Sequence, residues 1–219
     1  MNIIQKADYK IGGHLATKQD ARIDKRICGQ SLTEYVPSIY RDDSKGVGST
    51  GSHSTHYLML ERIFSNVTIT SSDALIDIGC GKGRVLAFFL KEKCPTKLYG
   101  IEHNKEVGRL AQEWTKKYDQ VQIMIGDAFT LDYNPYTILT MARPFLPKTL
   151  LAFIEHLEST LTHPVTLISW CDQQGIPVLN GRPGWSKQEG GAILRVKGFK
   201  LFPWPQAYSV WVYDPDKRK

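Results

Sequence analysis

Asp77, Gly79, Gly81 and Gly83 stand together in the stretch Ala74 to Leu86, read ALIDIGCGKGRVL, in which a carboxylate precedes glycines at alternate positions. An apolar run, such a glycine series and a second apolar stretch predict a strand, a tight turn and a helix. Without Cβ atoms the turn lets a ligand approach the backbone, and the unpaired amides opening the helix favour an electron-rich group. That is chemistry for holding a small, polar, nucleotide-like ligand. The spacing excludes two candidates. A dinucleotide fingerprint needs glycines at its first, third and sixth positions, and counting from Gly79 the sixth is Arg84. A P-loop ends Gly-Lys-Ser/Thr, whereas Gly81-Lys82 is followed by Gly83.

Two more acids follow in order. Glu102 closes an apolar run, Lys97 to Ile101, where a carboxylate is placed to accept from both hydroxyls of a ribose. Val121 to Ile125 is a third run, followed by Gly126-Asp127-Ala128-Phe129. Three such motifs, each after a strand-like run, resemble the class I S-adenosylmethionine (SAM) dependent methyltransferases over roughly residues 50 to 170. The resemblance implies an enzyme of α/β class with a Rossmann-like three-layer sandwich. Its mostly parallel seven-stranded sheet ends in an antiparallel hairpin strand. SAM is the implied cofactor and S-adenosylhomocysteine (SAH) the implied product.

The resemblance also implies roles. Asp77 orients the cofactor's amino group, Gly79, Cys80, Gly81 and Gly83 line its methionine end, and Glu102 binds the ribose. Asp127 and the backbone at Ala128 read the adenine, with Phe129 or His103 against the ring. Family members close a segment over the methionine end just before the first strand, which makes Thr55 and Tyr57 candidate contacts as well.

Transfer from a sulfonium needs an in-line nucleophile and a dry pocket more than covalent help, so catalytic residues are hard to read from residue type. After the fourth strand, methyltransferases of base amino groups or glutamine amides carry Asn or Asp, then Pro-Pro and an aromatic residue. This chain has Ala142-Arg143-Pro144-Phe145. Arg143 only donates hydrogen bonds, which does not suit an amino acceptor and does suit a carboxylate or phosphate on the substrate. Asp172, His53 and His56 are the groups available as a general base. The runs IDIGCGKGRV and GIEHNKE are also similar to the Dot1-like lysine methyltransferases, although that group's asparagine after the fourth strand is absent.

These groups need a scaffold. Tyr57, Leu60, Ile63 and Phe64 repeat at helical spacing behind Ser54-Thr55, which suit a cap. Helices are expected after the glycine turn, from Asn104 as cap, and from Pro147 in a first turn. Thr137 to Met141 and Val165 to Trp170 read as the fourth and fifth strands. Strands alternating with helices imply a parallel sheet covered on both faces. Ala192 to Val196 and Tyr208 to Tyr213 are expected to pair antiparallel, with Phe202 and Trp204 in the loop between them lining a substrate mouth or packing beneath it. Residues 1–48, broken by Gly12-Gly13, carry only a weak apolar patch around Tyr35, Val36, Ile39 and Tyr40. They are expected to be an N-terminal extension, an arm over the active site or a packing segment, on a methyltransferase domain of residues 49–219.

A chain of 219 residues suffices for one such domain. No apolar run approaches the ~20 residues that cross a bilayer, and MNIIQKADYK lacks the apolar core of a signal peptide, so a cytoplasmic protein is expected. Cys28, Cys80, Cys94 and Cys171 have no metal or disulfide spacing, and His53 and His56 lack partners at metal spacing, so no metal is expected. The net charge is +6, with eight Lys or Arg against three acids from Gly181 onward. A basic end fits a nucleic-acid partner, though no RNA-binding motif accompanies it, and fits a solvated surface equally well. With no appended recognition domain, a small-molecule acceptor is favoured over protein or RNA. Two other readings stay open: a SAM-binding sensor without turnover, and a basic nucleic-acid-binding module.

Overall fold

The computed structural model describes residues 3–38, 48–171, 173 and 175–218. Five parallel strands form the body of the sheet: β1 (Ala74–Ile78), β2 (Lys97–Glu102), β3 (Val121–Ile125), β4 (Ile138–Met141) and β5 (Val165–Trp170). Their apolar runs point to both faces, as parallel strands buried on two sides require. β6 (Trp185–Ile193) lies at the edge. β7 (Arg195–Val196) and β8 (Phe199–Lys200) form a small separate ladder, and β9 (Gln206–Tyr213) returns into the sheet between β5 and β6, antiparallel to both. The order is β3-β2-β1-β4-β5-β9-β6, so the chain reverses direction across the sheet at β1 and β4. Ligands of open α/β sheets bind at such a switch, beyond the carboxyl ends of the strands.

Helices cover the two faces unequally. α1 (Ile3–Cys28), α2 (Tyr57–Ile63), α3 (Arg84–Lys91) and α4 (Lys105–Thr115) pack on one face with Leu75, Leu98, Ile138 and Trp170. α5 (Pro147–Thr160) and the short α6 (Gly175–Leu179) cover the other with Ile76, Leu139, Met141 and Leu167. Alternation along β1 thus places Asp77 on the α3 face, next to the glycine turn.

The N-terminal region contains a 26-residue helix, α1, whose Ala16, Ile23 and Ile27 belong to the core shared with α2 and α3. Two expectations need correction. α2 is not capped by Ser54 or Thr55. Its N-cap is His56, which makes no side-chain cap bond, and the Tyr57 amide donates instead to Asp20 Oδ1 of α1 at 3.1 Å. The last pair of strands is β6 with β9, and β6 ends at Ile193, two residues before the separate β7. Ile39 and Tyr40 lie outside the described residues. Asn104 does cap α4, accepting from the Glu106 and Val107 amides, and Pro147 does open α5.

The basic C-terminal end is largely paired. Arg182 bonds Glu158, Arg195 bonds Asp8, Lys197 bonds Glu61 and Lys217 bonds Asp214. No helix among the described residues is long and apolar enough to cross a membrane.

Candidate functional site

The turn after β1 is held by the next strand, because the amides of Gly79 and Cys80 both donate to the Ile101 carbonyl. Gly79, Gly81 and Gly83 all have left-handed φ, which any side chain would strain. All three also make room for protein, Gly81 for the Ser52 side chain. A Cβ on Gly79 would stand 2.5 Å from the Pro144 side chain, and one on Gly83 would stand 2.9 Å from Trp114. Trp114 is fixed there by its indole N–H, which donates to the Lys82 carbonyl. The glycine series therefore serves close packing of the turn as well as access to it.

Three carboxylates border the cleft above the turn, each held differently. Asp77 is buried, and its Oδ1 accepts from the Thr140 hydroxyl at 2.8 Å. Burial pushes its pKa up to about 7, against the Thr140 hydrogen bond and with help from Glu102. Glu102 is half-buried and clamped by backbone: Oε2 accepts from the Gly81 amide at 2.9 Å and Oε1 from the Asn104 amide at 2.8 Å. Burial raises its pKa also, against those amides. Asp127 is exposed and caps the short turn Ala128–Thr130 through the Phe129 amide.

The cleft has a volume of about 300 Å³. The cofactor candidates Asp77, Gly79, Cys80, Gly81, Glu102, His103, Asp127, Ala128, Phe129 and Thr55 come together on its walls. Gly83 stands just beyond them as the N-cap of α3. Phe129 packs edge-on against Phe153 and lies 6.1 Å from the Phe145 ring, giving this end an aromatic wall. Cys80 has its thiol pKa pushed well up by burial and by the two acids, which keeps it inert as a nucleophile. Tyr57 does not reach the cleft. It is fully buried, with its hydroxyl donating to Asp24 Oδ1, and this is a correction to its expected role.

Residues 32–38 and 48–55 run over the cleft and meet in an antiparallel bridge between Val36 and Ser52. Thr50 ties this cover to the end of β4, its hydroxyl donating to the Arg143 carbonyl and its amide to that of Pro144. A second cavity of about 510 Å³ adjoins the cleft, with Ser38 and residues 53–55 among the lining common to both. Its walls include His53, His56, Met59, Arg143, Cys171 and Phe202, and it shares Ala142 and residues 49–51 with the first cleft. Arg143 and Cys171, just after adjacent strands, both have left-handed φ, an unfavourable state for such side chains and one that concentrates at working sites. No carboxylate among the described residues pairs with the Arg143 guanidinium. Burial lowers the pKa of His53, with His56, Arg84 and Arg143 acting the same way. His56 gives Nδ1 to Asp20 Oδ2 at 2.6 Å. Asp172 lies outside the described residues. Phe202 represents the β8–β9 loop on this wall, while Trp204 is 63% exposed. No cluster of metal-ligating side chains occurs among the described residues.

The family model for protein-L-isoaspartate(D-aspartate) O-methyltransferase matches residues 24–166, from the second half of α1 into β5. The chain belongs to this family. It is a SAM-dependent methyltransferase of Rossmann-like fold. No curated protein sequence matches it. Among solved structures, an RNA methyltransferase from Salinibacter ruber in complex with S-adenosyl-L-homocysteine is 19% identical, with 74% of this chain and 92% of that one aligned at a TM-score of 0.53. A SAM-dependent methyltransferase from Aquifex aeolicus is 16% identical over 70% and 88% of the two chains, again at 0.53. A mutant of MtNAS in complex with S-adenosylmethionine is 14% identical over 98% and 79%, at 0.54. At these identities the likeness is one of fold.

Sequence reasoning missed the polar residues that join the methyltransferase's N-terminal helix to its cleft: Asp20, Asp24 and Arg84. All three are buried. The available signal is the four-residue spacing of Gly12, Ala16, Asp20 and Asp24, a helical stripe without large apolar side chains.

Proposed function

We propose that the enzyme methylates a carboxylate oxygen of a small-molecule acceptor lodged in the second cavity, using SAM bound in the first cleft. The observation that carries this reading is the exposed guanidinium of Arg143, which no carboxylate among the described residues pairs, on the wall of a cavity that adjoins the cofactor cleft. The cleft suits the cofactor in its chemistry. Asp77 would hold the ammonium group, Glu102 the ribose hydroxyls, and Asp127 with Phe129 the adenine. When bound, SAM supplies a methyl group on a positively charged sulfur whose departure leaves a neutral thioether.

The chain's own residues then have little to do beyond placement. Arg143 would donate to one oxygen of the acceptor carboxylate and aim the other at the methyl group where the cavity and the cleft adjoin, a task suited to its planar fork. A carboxylate is already deprotonated at neutral pH, so no general base is required. Met59, Leu146 and Phe202 supply the apolar surface that keeps water from competing. The family is named for O-methylation at L-isoaspartate or D-aspartate of proteins, which supports an oxygen acceptor of this kind. A concave site of about 510 Å³ and the paired C-terminal cations support a small molecule over RNA.

The test is methyl transfer from tritiated SAM to matched panels of small carboxylic acids, their amides, an isoaspartyl peptide and RNA. Turnover confined to acids and reduced a hundredfold or more by Arg143→Gln is the expected result. Equal turnover of acids and amides, or turnover of RNA alone, would contradict the proposal.

A further inference from the structure

Arg84 follows the last glycine of the turn and is 3% exposed, yet its side chain turns away from solvent into a cluster of its own. Nε donates to Asp24 Oδ1 at 3.2 Å and Nη2 to Asp24 Oδ2 at 2.6 Å, a bidentate pair. Nη1 reaches Asp20 Oδ2 at 3.5 Å and the carbonyls of Ser54 and Thr55 at 3.3 and 3.5 Å. Every nitrogen of the guanidinium is engaged, and the partners lie on α1 and on the cover of the cofactor cleft. The two aspartates are occupied in turn. Asp20 caps α2 through the Tyr57 amide and bonds His56, while Asp24 accepts from the Tyr57 hydroxyl and the Leu32 amide.

We infer that Arg84 is a positioning residue: with Asp20 and Asp24 it sets the spacing between the glycine turn and residues 52–55, which makes the N-terminal helix part of the cofactor site. The spacing is tight, because a Cβ on Gly81 would stand 2.7 Å from Ser52 Oγ. Thr55 is held independently by the Trp170 indole at the end of β5, Thr50 by the carbonyls that follow β4, and the other strand of the cover by Lys82 Nζ, which donates to the Glu34 carbonyl at 2.7 Å; Arg84 is the side chain of the turn that reaches residues 54 and 55. Lysine keeps the charge but offers one nitrogen, which cannot reproduce a fork spanning two carboxylates and two carbonyls. Loss of the fork removes the turn's hold on residues 54 and 55 while leaving the Lys82–Glu34 bond and the apolar packing of α1 in place.

The inference rests on SAM occupying the first cleft, and calorimetric titration of SAH into the full-length chain separates the two claims. For Arg84→Lys we expect Kd to rise tenfold or more with the binding stoichiometry unchanged, and for Asp24→Asn the same direction. Tyr57→Phe removes one hydrogen bond to Asp24 and leaves the fork intact, so its Kd should change less than threefold. A purely structural role would instead lower the stoichiometry and the melting temperature with Kd within twofold of wild type, and that result overturns the inference. Should Arg84→Lys fail to fold, Asp20→Asn, which spares the bidentate pair, is expected to raise Kd at least threefold; no change there overturns the inference equally. Wild-type protein that does not bind SAH would overturn the cofactor seat and this inference with it.

Discussion

Asp77 should make the ligand-free enzyme less stable as pH rises, and Asp77→Asn should reverse that loss. Burial lifts its carboxyl from an ordinary 3.8 to about 7, so the folded chain binds this proton more tightly than the unfolded chain does. The stability it contributes is full below pH ~4 and is lost as pH rises through about 7. A difference of about 3 pKa units, at about 1.4 kcal/mol each, leaves the folded state penalised by about 4 kcal/mol at pH 8. At pH 5 the penalty is only about 1.5–2 kcal/mol, because the unfolded carboxyl has ionised while the folded one has not. Asparagine cannot ionise, and its amide oxygen still accepts from Thr140. Any fixed packing effect of the substitution cancels between the two pH values, leaving a gain of about 2–3 kcal/mol for the variant on going from pH 5 to pH 8. At about 2–4 °C per kcal/mol for a chain of this size, the melting-temperature difference should move by roughly 5–10 °C in the variant's favour. Thermal melts of both proteins without ligand, at pH 5 and pH 8, read this directly. A difference that stays the same at both pH values, or moves in favour of wild type, would refute a buried, proton-holding Asp77.

Two further substitutions test neighbouring parts of the site. Gly83→Ala puts a Cβ into the Trp114 ring at a left-handed φ and should lower stability by about 2 kcal/mol, seen as a melting temperature down by roughly 4–8 °C. His53→Ala should lower kcat less than about tenfold, since a general base contributes about 10²–10⁴ and a carboxylate acceptor needs none; a loss of a hundredfold or more in the tritium assay would restore His53 as the base.

The parts legible in the sequence are those whose physics is local. β1 to β5 announce themselves as apolar runs because parallel strands are buried on both faces, and Asp77 and Glu102 stand at fixed offsets from the glycine turn. α1 is illegible for a tertiary reason. Over residues 8–20 its buried face is built from Gly12, Ala16 and Asp20, with Ile23, Asp24 and Ile27 joining only near its end, while Ile11 and Leu15 point to solvent at 63% and 46% exposure. Gly12 is needed because a Cβ there would stand 2.6 Å from the Lys200 carbonyl oxygen. β6 is expected too late in the chain, over Ala192 to Val196, because an edge strand is open to water along most of its length and WSKQEGG carries no apolar run. Arg84 reads as a surface charge at a helix start until α1 brings two aspartates to it. Tyr57 follows the same logic, since only the fold shows that its hydroxyl faces Asp24 and not the cleft.

A crystal structure of the enzyme with SAH tests the central claim most directly. The account predicts the ammonium group on Asp77, the ribose on Glu102, and the sulfur facing the second cavity on the side of Arg143. SAH bound outside the cleft, or with its sulfur turned away from that cavity, would contradict it.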